Sequence, residues 1–300
     1  VIADPHVGGA LVIGDALIDE IETSPGQDPD EIVGGAGLNV AVGLRRLGVP
    51  ATLLAMVGDD KAGRDIREYA ASHTVALIAS PSAHGSSRAT STRNAAGEPT
   101  YLFNKASRNR VIDFTEPATQ ALYAASAIIV TCFPFDDEDQ SSSLLQAVRS
   151  SAAMYIVDPN ARPSMITDRE KFVTEFEEHA RVAWIVKISD EDSEFMYGTG
   201  AREAAGRLLS LGVQVVLATY GSKGAEAYLR DGSVRVPISA MPGPIIDTMG
   251  AGDATLATVV ADTLQGGFHH DLATWRQTLS HAMRNAAATC RTAGALLHTA

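Results

Sequence analysis

The sequence predicts an α/β/α sandwich, three layers in which a mostly parallel central sheet is covered by helices on both faces, together with a small outlying β-sheet. Three observations predict it. Short runs rich in Val, Ile and Leu recur along the 300 residues, helical patterns separate them, and two polar, alternating segments interrupt that rhythm. Strands that are apolar throughout and joined by helices belong to a parallel sheet buried on both faces.

The strand candidates, in chain order, are ALVIG (10–14), ATLLAMVG (51–58), TVALIA (74–79), AIIVTCF (127–133), YIVDPN (155–160), AWIVKIS (183–189) and VQVVLATYG (213–221). Helical patterns lie between them at 38–48, 140–152, 168–180 and 201–212. The interrupting segments are 15–35 and 86–104, the second with a turn at Asn94–Glu98. Their polar alternation reads as half-exposed antiparallel strands, and each leaves the main fold just after a sheet strand, so the two can pair as a separate sheet. This insertion is expected to run from about 15 to 35 and from 86 to 108 of one domain covering 1–300. AEAYLRDGSVRVPI (225–238) signals a hairpin turning at Asp231–Gly232.

Composition bounds the function. With 45% hydrophobic and 20% charged residues the chain has ample material for a core. It has no apolar run of membrane-spanning length and no basic-then-apolar leader, so neither a membrane span nor export is expected. Cys132 and Cys290, two lone thiols far apart in sequence, fit a reducing cytoplasm. The eight histidines show no HExxH or Cys-paired spacing, which argues against zinc, and His269–His270 reads as a loop or helix entry. A formal charge of −12 repels nucleic acid and anionic membranes, and an anionic substrate would need local donors and a metal ion to hold it.

The chemistry concentrates in DTMGAGDATLATVVADTL (247–264). Gly250, Ala251 and Gly252 run into Asp253 and then into a helical pattern. A helix N-terminus exposes N–H groups and the positive end of its dipole, and glycines let a ligand approach that backbone, so the stretch reads as an anion cradle. A carboxylate placed there could take a proton from a hydroxyl attacking a phosphorus atom. It could equally be a first-turn Asp favoured by the dipole, with the glycines merely making a turn. The chain has no GxxxxGK followed by Ser or Thr and no protein-kinase signature. A dinucleotide fingerprint also fails, with Val40 and Thr255 where third glycines belong.

Taken with GGAGLNVAVGLRRLGV (34–49), however, DTMGAGDATLA strongly resembles the signature pair of the ribokinase-like (PfkB) carbohydrate kinases, above all the fructokinase type. The resemblance spans nearly the whole chain in the family's order: GDALIDE (14–20), VGDDKAG (57–63), VDPNARP (157–163), VKISDED (186–192), TYGSKGA (219–225) and HAMRNAAA (281–288). It implies Asp253 as catalytic base, with Gly250, Ala251 and Gly252 as the anion hole. It implies Asp15, Asp19, Gly34, Gly35 and Asn39 as sugar contacts, with Asp158, Asn160 and Arg162 near the sugar or the transferred phosphate. Lys187, Ser189, Thr219, Gly221, Gly224 and Asn285 match nucleotide positions. Ser189 and Asp192 depart from the family's Asn and Glu in K-x-N-x-x-E, so Mg²⁺ is assigned to Asp192 or Glu191. Asp247 matches a position associated with K⁺ in some relatives.

The resemblance thus implies an ATP- and Mg²⁺-dependent sugar kinase with a β lid, which keeps water from competing as acceptor. Fructose is the first choice of acceptor; 2-keto-3-deoxygluconate, ribose and nucleosides are the alternatives. A ketodeoxy-acid would want Arg88, Arg93 or Arg108 facing the pocket. A catalytically silent sugar-binding or regulatory protein is the rival of another class. The lid edge is a candidate homodimer surface.

Overall fold

The structure, a computed structural model, describes residues 9–21, 29–93 and 99–299. The turn expected at Asn94–Glu98 lies outside the described residues. The strands are β1 (Ala10–Ile13), β2 (Leu17–Ile21), β3 (Asp30–Gly34), β4 (Ala51–Met56), β5 (Ala76–Ser80), β6 (Ser87–Arg93), β7 (Pro99–Phe103), β8 (Ala127–Thr131), β9 (Met154–Asp158), β10 (Ile185–Ser189), β11 (Val215–Thr219), β12 (Ala225–Leu229) and β13 (Gly232–Val236). The helices are α1 (Ala36–Arg46), α2 (Lys61–Ser72), α3 (Lys105–Arg108), α4 (Glu116–Ala124), α5 (Glu138–Arg149), α6 (Arg169–Ala180), α7 (Asp190–Tyr197), α8 (Ala201–Leu211), α9 (Ala251–Gly266) and α10 (Leu272–Thr289).

The large sheet has the order β13-β12-β11-β10-β9-β8-β1-β4-β5, parallel from β5 through β11 and closed by the antiparallel hairpin β12–β13. Because side chains alternate along a strand, each apolar run serves two cores. Val12, Leu53, Ile129 and Ile185 face α1, α9 and α10 on one side. Leu11, Leu54, Ile128 and Val186 face α5, α6 and α8 on the other. The predicted sandwich is therefore present, with helices such as α2 and α4 added to those the periodicity marked.

The small sheet has the order β3-β2-β6-β7 and differs from the expectation in one respect. Strands β2 and β6 pair in parallel, from Leu17 opposite Ser87 to Ile21 opposite Ser91, while the outer pairs are antiparallel. The reason is topological. Strands β1 and β5 point the same way in the large sheet, so the strands that follow them emerge from its carboxyl edge side by side. Near its end β7 rests on the main body through Phe103, packed against Ala36, Cys132 and Met165.

Helices α1 and α9 approach closely at Gly43, where an added Cβ would lie 2.8 Å from the Cβ of Ala257. Gly43→Ala should therefore destabilise by about 1–3 kcal/mol through overpacking, outweighing the roughly 1 kcal/mol that Ala gains in a helix interior. In chemical melts Ala257→Gly should recover much of that loss when combined with Gly43→Ala. Additive losses would mean that the two positions do not share the space.

A candidate phosphoryl-transfer site at the carboxyl edge of the sheet

Strand ends supply most of the site, as expected for an open parallel sheet. Asp15 follows β1, and α1 begins against it: the N–H of Gly37 donates to its carboxylate at 3.1 Å and that of Leu38 to its carbonyl at 3.1 Å. Gly35, the residue before α1, has φ +107°, and a Cβ there would meet the Asp15 carbonyl oxygen at 2.9 Å. The glycine pair that opens the helix thus lets it start directly on the strand end. A Cβ at Gly34 would sit 2.4 Å from the Asp19 carboxylate.

From the opposite side α9 enters with Gly250 at φ +73° and Asp253 in its first turn. Asn39 donates its amide to the Asp253 carboxylate at 2.9 Å. Burial pushes the pKa of Asp253 up to about 6, against the Asn39 hydrogen bond and the positive charge of Lys187. Lys187 and Asp158, both buried, form a 2.7 Å ion pair beside the cradle, with the ammonium 3.6 Å from where a Gly252 Cβ would be. Burial opposes the Lys187 charge, but Asp158 and Asp192 hold its pKa above the ordinary value. Burial likewise raises that of Asp158, with Lys187 opposing. Asn160, at φ +39°, turns back so that its N–H reaches Asp158. Arg162 is exposed nearby; desolvation works against its charge, but the carboxylates of Asp192, Asp253 and Asp15 hold its pKa above the ordinary value.

Ser189 and Asp192 cap α7 reciprocally, and Asp192 also accepts the Ala161 N–H at 2.8 Å, so both its oxygens are engaged within the chain. Glu191 is exposed on the same turn. Thr219 ends β11, and the turn beyond it holds Gly221 at φ +52° and Gly224 at φ +91°. Asp247 ties the loop before α9 to Gly294. Asn285 is not brought to this surface: it is 1% exposed between α9 and α10, donating to Thr258.

A small pocket lies between the sheets, lined by Gly14, Asp15, Ser87, Arg110, Cys132 and Phe133 among others. Burial beside Asp15 pushes the Cys132 thiol up to about 12, which leaves it an inert wall. Of the arginines considered from sequence, Arg88 is occupied by Glu20 and Glu31, Arg108 is exposed, and the side chain of Arg93 lies outside the described ones. Arg110 and Cys132 carry no motif and were not anticipated; their position just past α3 and β8 is the only hint. Together the site offers carboxylates able to accept hydrogen bonds, a carboxyl that exchanges its proton near neutrality and a helix N-terminus suited to an anion.

Residues 9–297 match the model of the pfkB family of carbohydrate kinases. The chain belongs to that family. It is 29% identical over 289 residues to a fructokinase of Rhizobium leguminosarum bv. trifolii, covering 92% of this chain and 85% of the relative. Its fold matches a crystal structure of fructokinase with bound ATP from Xylella fastidiosa, at TM-score 0.83 and 21% identity over 96% of this chain and 93% of that one. It also matches a double mutant of Vibrio cholerae O395 fructokinase in a fructose-, ADP- and potassium-bound form, at TM-score 0.82 and 21% identity over 98% and 95% of the two chains. The fold is thus ribokinase-like with its lid. Among the described residues no helix is long and apolar enough to cross a membrane.

Two expectations follow. Burial, with Asp15 and Asp253 nearby, raises Asp19 from its ordinary 3.8 to about 7. Between these values the folded chain keeps a proton that the unfolded chain has lost, so stability falls as pH rises through that window. Asp19→Asn should raise Tm, by more at pH 8 than at pH 4; a difference independent of pH would remove the assignment. The glycines of the cradle should also separate. A Cβ at Gly250 would lie 2.0 Å from the Ala295 carbonyl oxygen, whereas at Gly252 it meets nothing closer than Lys187 at 3.6 Å. Gly250→Ala should lower Tm by several degrees, while Gly252→Val should melt near the parent and bind ATP more weakly in calorimetry.

Proposed function

We propose that this carbohydrate kinase transfers the γ-phosphoryl group of ATP to a hydroxyl of a fructose-type sugar, with Asp253 as general base. The observation that carries the reading is the Asp253 carboxyl, held by Asn39 at the mouth of α9 with its pKa near 6. At neutral pH it is largely ionised, yet basic enough to collect a proton as the hydroxyl attacks. The N–H groups from Gly250 to Asp253 steady the transferred phosphate, with Lys187 and Arg162 adding positive charge. Thr219, Gly221 and Gly224 are assigned to the nucleotide phosphates. Asp15, Asp19, Asn39 and the Gly34–Gly35 backbone are assigned to the sugar, with Asn160 at its edge. Fructose takes first place because the curated relative is a fructokinase.

Among the described residues no cluster of three or more acidic, His or Cys side chains is gathered to hold a metal. That donor set fits a Mg²⁺ ion carried mainly by phosphates and water, as is its habit, with the exposed Glu191 better placed than the engaged Asp192. When bound, the ion neutralises phosphate charge. Asp247 is the proposed K⁺ contact. The small sheet serves as lid, and its outer strand, with Tyr101 and Leu102 exposed, is the proposed contact between two copies in the cytoplasm. The ionised base and its positive neighbours favour an active kinase over a silent sugar-binding protein.

Asp253→Asn should lower kcat by roughly 10²–10⁴ with ATP affinity little changed. In the parent, kcat/KM for the sugar should rise with pH through about 6 and level off above it, as the base loses its proton. Near-full turnover in Asp253→Asn would exclude it as base.

A further inference from the structure

The cavity between the sheets contains a cation that the transfer chemistry above does not use. Arg110 lines this space together with Asp15, Ser87 and Cys132, and only 9% of its surface is exposed. Among the described residues its guanidinium makes one hydrogen bond, from Nη1 to the Ser107 carbonyl, and its Nε–H is buried with no acceptor. Among the described residues no carboxylate forms an ion pair with it, although Asp15 lines the same pocket. A buried guanidinium with five donors, a single hydrogen bond and no directly paired carboxylate is costly unless something else enters to complete it.

The surrounding chain is built to keep it there. Gln140 grips the backbone on both sides, donating to the Arg110 carbonyl at 3.0 Å and accepting the Ile112 N–H at 2.8 Å. Ser107, whose carbonyl orients the guanidinium, is fixed in turn to the Arg88 carbonyl and to Asn104. The donor is therefore held in place before any ligand arrives. Neutral hydroxyls can already be met by Asp15 and Asp19, and they would leave the Arg110 charge uncompensated. A carboxylate or phosphate oxygen supplies both the acceptor and the charge.

We propose that Arg110 is a specificity-determining residue that binds an anionic oxygen, of a carboxylate or a phosphate, on the acceptor sugar. The inference rests on the sugar-kinase reading and refines it, from a fructose-type sugar to one that carries an acidic group. Binding calorimetry on the full chain without ATP tests it, with fructose, 2-keto-3-deoxygluconate and fructose 6-phosphate as probes, followed by phosphoryl transfer on the same panel. One acidic probe should bind at least about tenfold tighter than fructose, and which one does so identifies the anion. That preference should fall roughly 10–100-fold in Arg110→Met, the range of a charged buried hydrogen bond, and be partly kept in Arg110→Lys. Arg110→Gln gives the same reading if the Met variant does not fold. Fructose binding as tightly as both acids, or an acid preference unchanged in the charge-removing variants, overturns the proposal. Acid binding through Arg110 without transfer to any sugar would retire the kinase reading and leave this one standing. Phosphorylation of fructose with no acid preference would do the reverse.

Discussion

The close approach of α1 and α9 is the constraint on which the rest of the site depends. Gly43 leaves room for Ala257, and one turn earlier on each helix stand Asn39 and Asp253, bonded at 2.9 Å. Residues four apart lie on one helix face, so the crossing point sets the distance between the two functional groups. Each helix is pinned at its start as well. The N-terminus of α1 bonds the Asp15 strand end, and the turn into α9 packs Gly250 on the Ala295 carbonyl. A shift at the crossing would therefore misplace Asn39 and Asp253, the proposed sugar contact and base, together.

Charge in the site is arranged locally against a molecule that is negative overall. The Lys187–Asp158 pair is fully buried, an arrangement that contributes little net stability but is expensive to break on one side. Its value lies in position. It keeps an ammonium beside Gly252 and Asp253, which restrains the rise in the Asp253 pKa that burial alone would cause. Arg162 and Arg110 add two more cations around the same edge of the sheet. The formal −12 is diffuse and screened over a Debye length, whereas these groups act within a few ångströms of any bound anion.

The layers of the fold were legible in the sequence because burial on both sides leaves an unmistakable run of Val, Ile and Leu. Each of the seven parallel strands was marked by such a run, and the β12–β13 hairpin by Asp231–Gly232. The direction of β2 against β6 was not legible, since alternation reports exposure and says nothing of which neighbour a strand chooses. In the site, Gly250 and Asp253 could be read because a glycine turn before a helix has a distinct pattern. The burial of Asn285, assigned to the nucleotide by resemblance, was not legible because it depends on α9, which is distant in sequence. Arg110 escaped for a similar reason: a cation in a polar stretch reads as solvated until the Gln140 clamp and the cavity wall are seen.

The small sheet is anchored on the body chiefly through β2, whose Ile18 belongs to the main core with Val33 of β3 packed against it. Its strands are cross-linked by Arg88 with Glu20 and Glu31, whose side chains remain 20–38% exposed and so contribute at most about 1 kcal/mol each. Its apolar footing includes one small cluster, Phe103 on Ala36, Cys132 and Met165. Meanwhile its presence over the carboxyl edge buries Asp19 and raises that carboxyl toward neutrality, an unfavourable contribution to the closed form at neutral pH. The small sheet thus carries on its own strand β2 a carboxylate whose ionisation works against its packed position. If Asp19 meets the sugar as proposed, hydrogen bonds from sugar hydroxyls would favour its ionised form and offset that contribution.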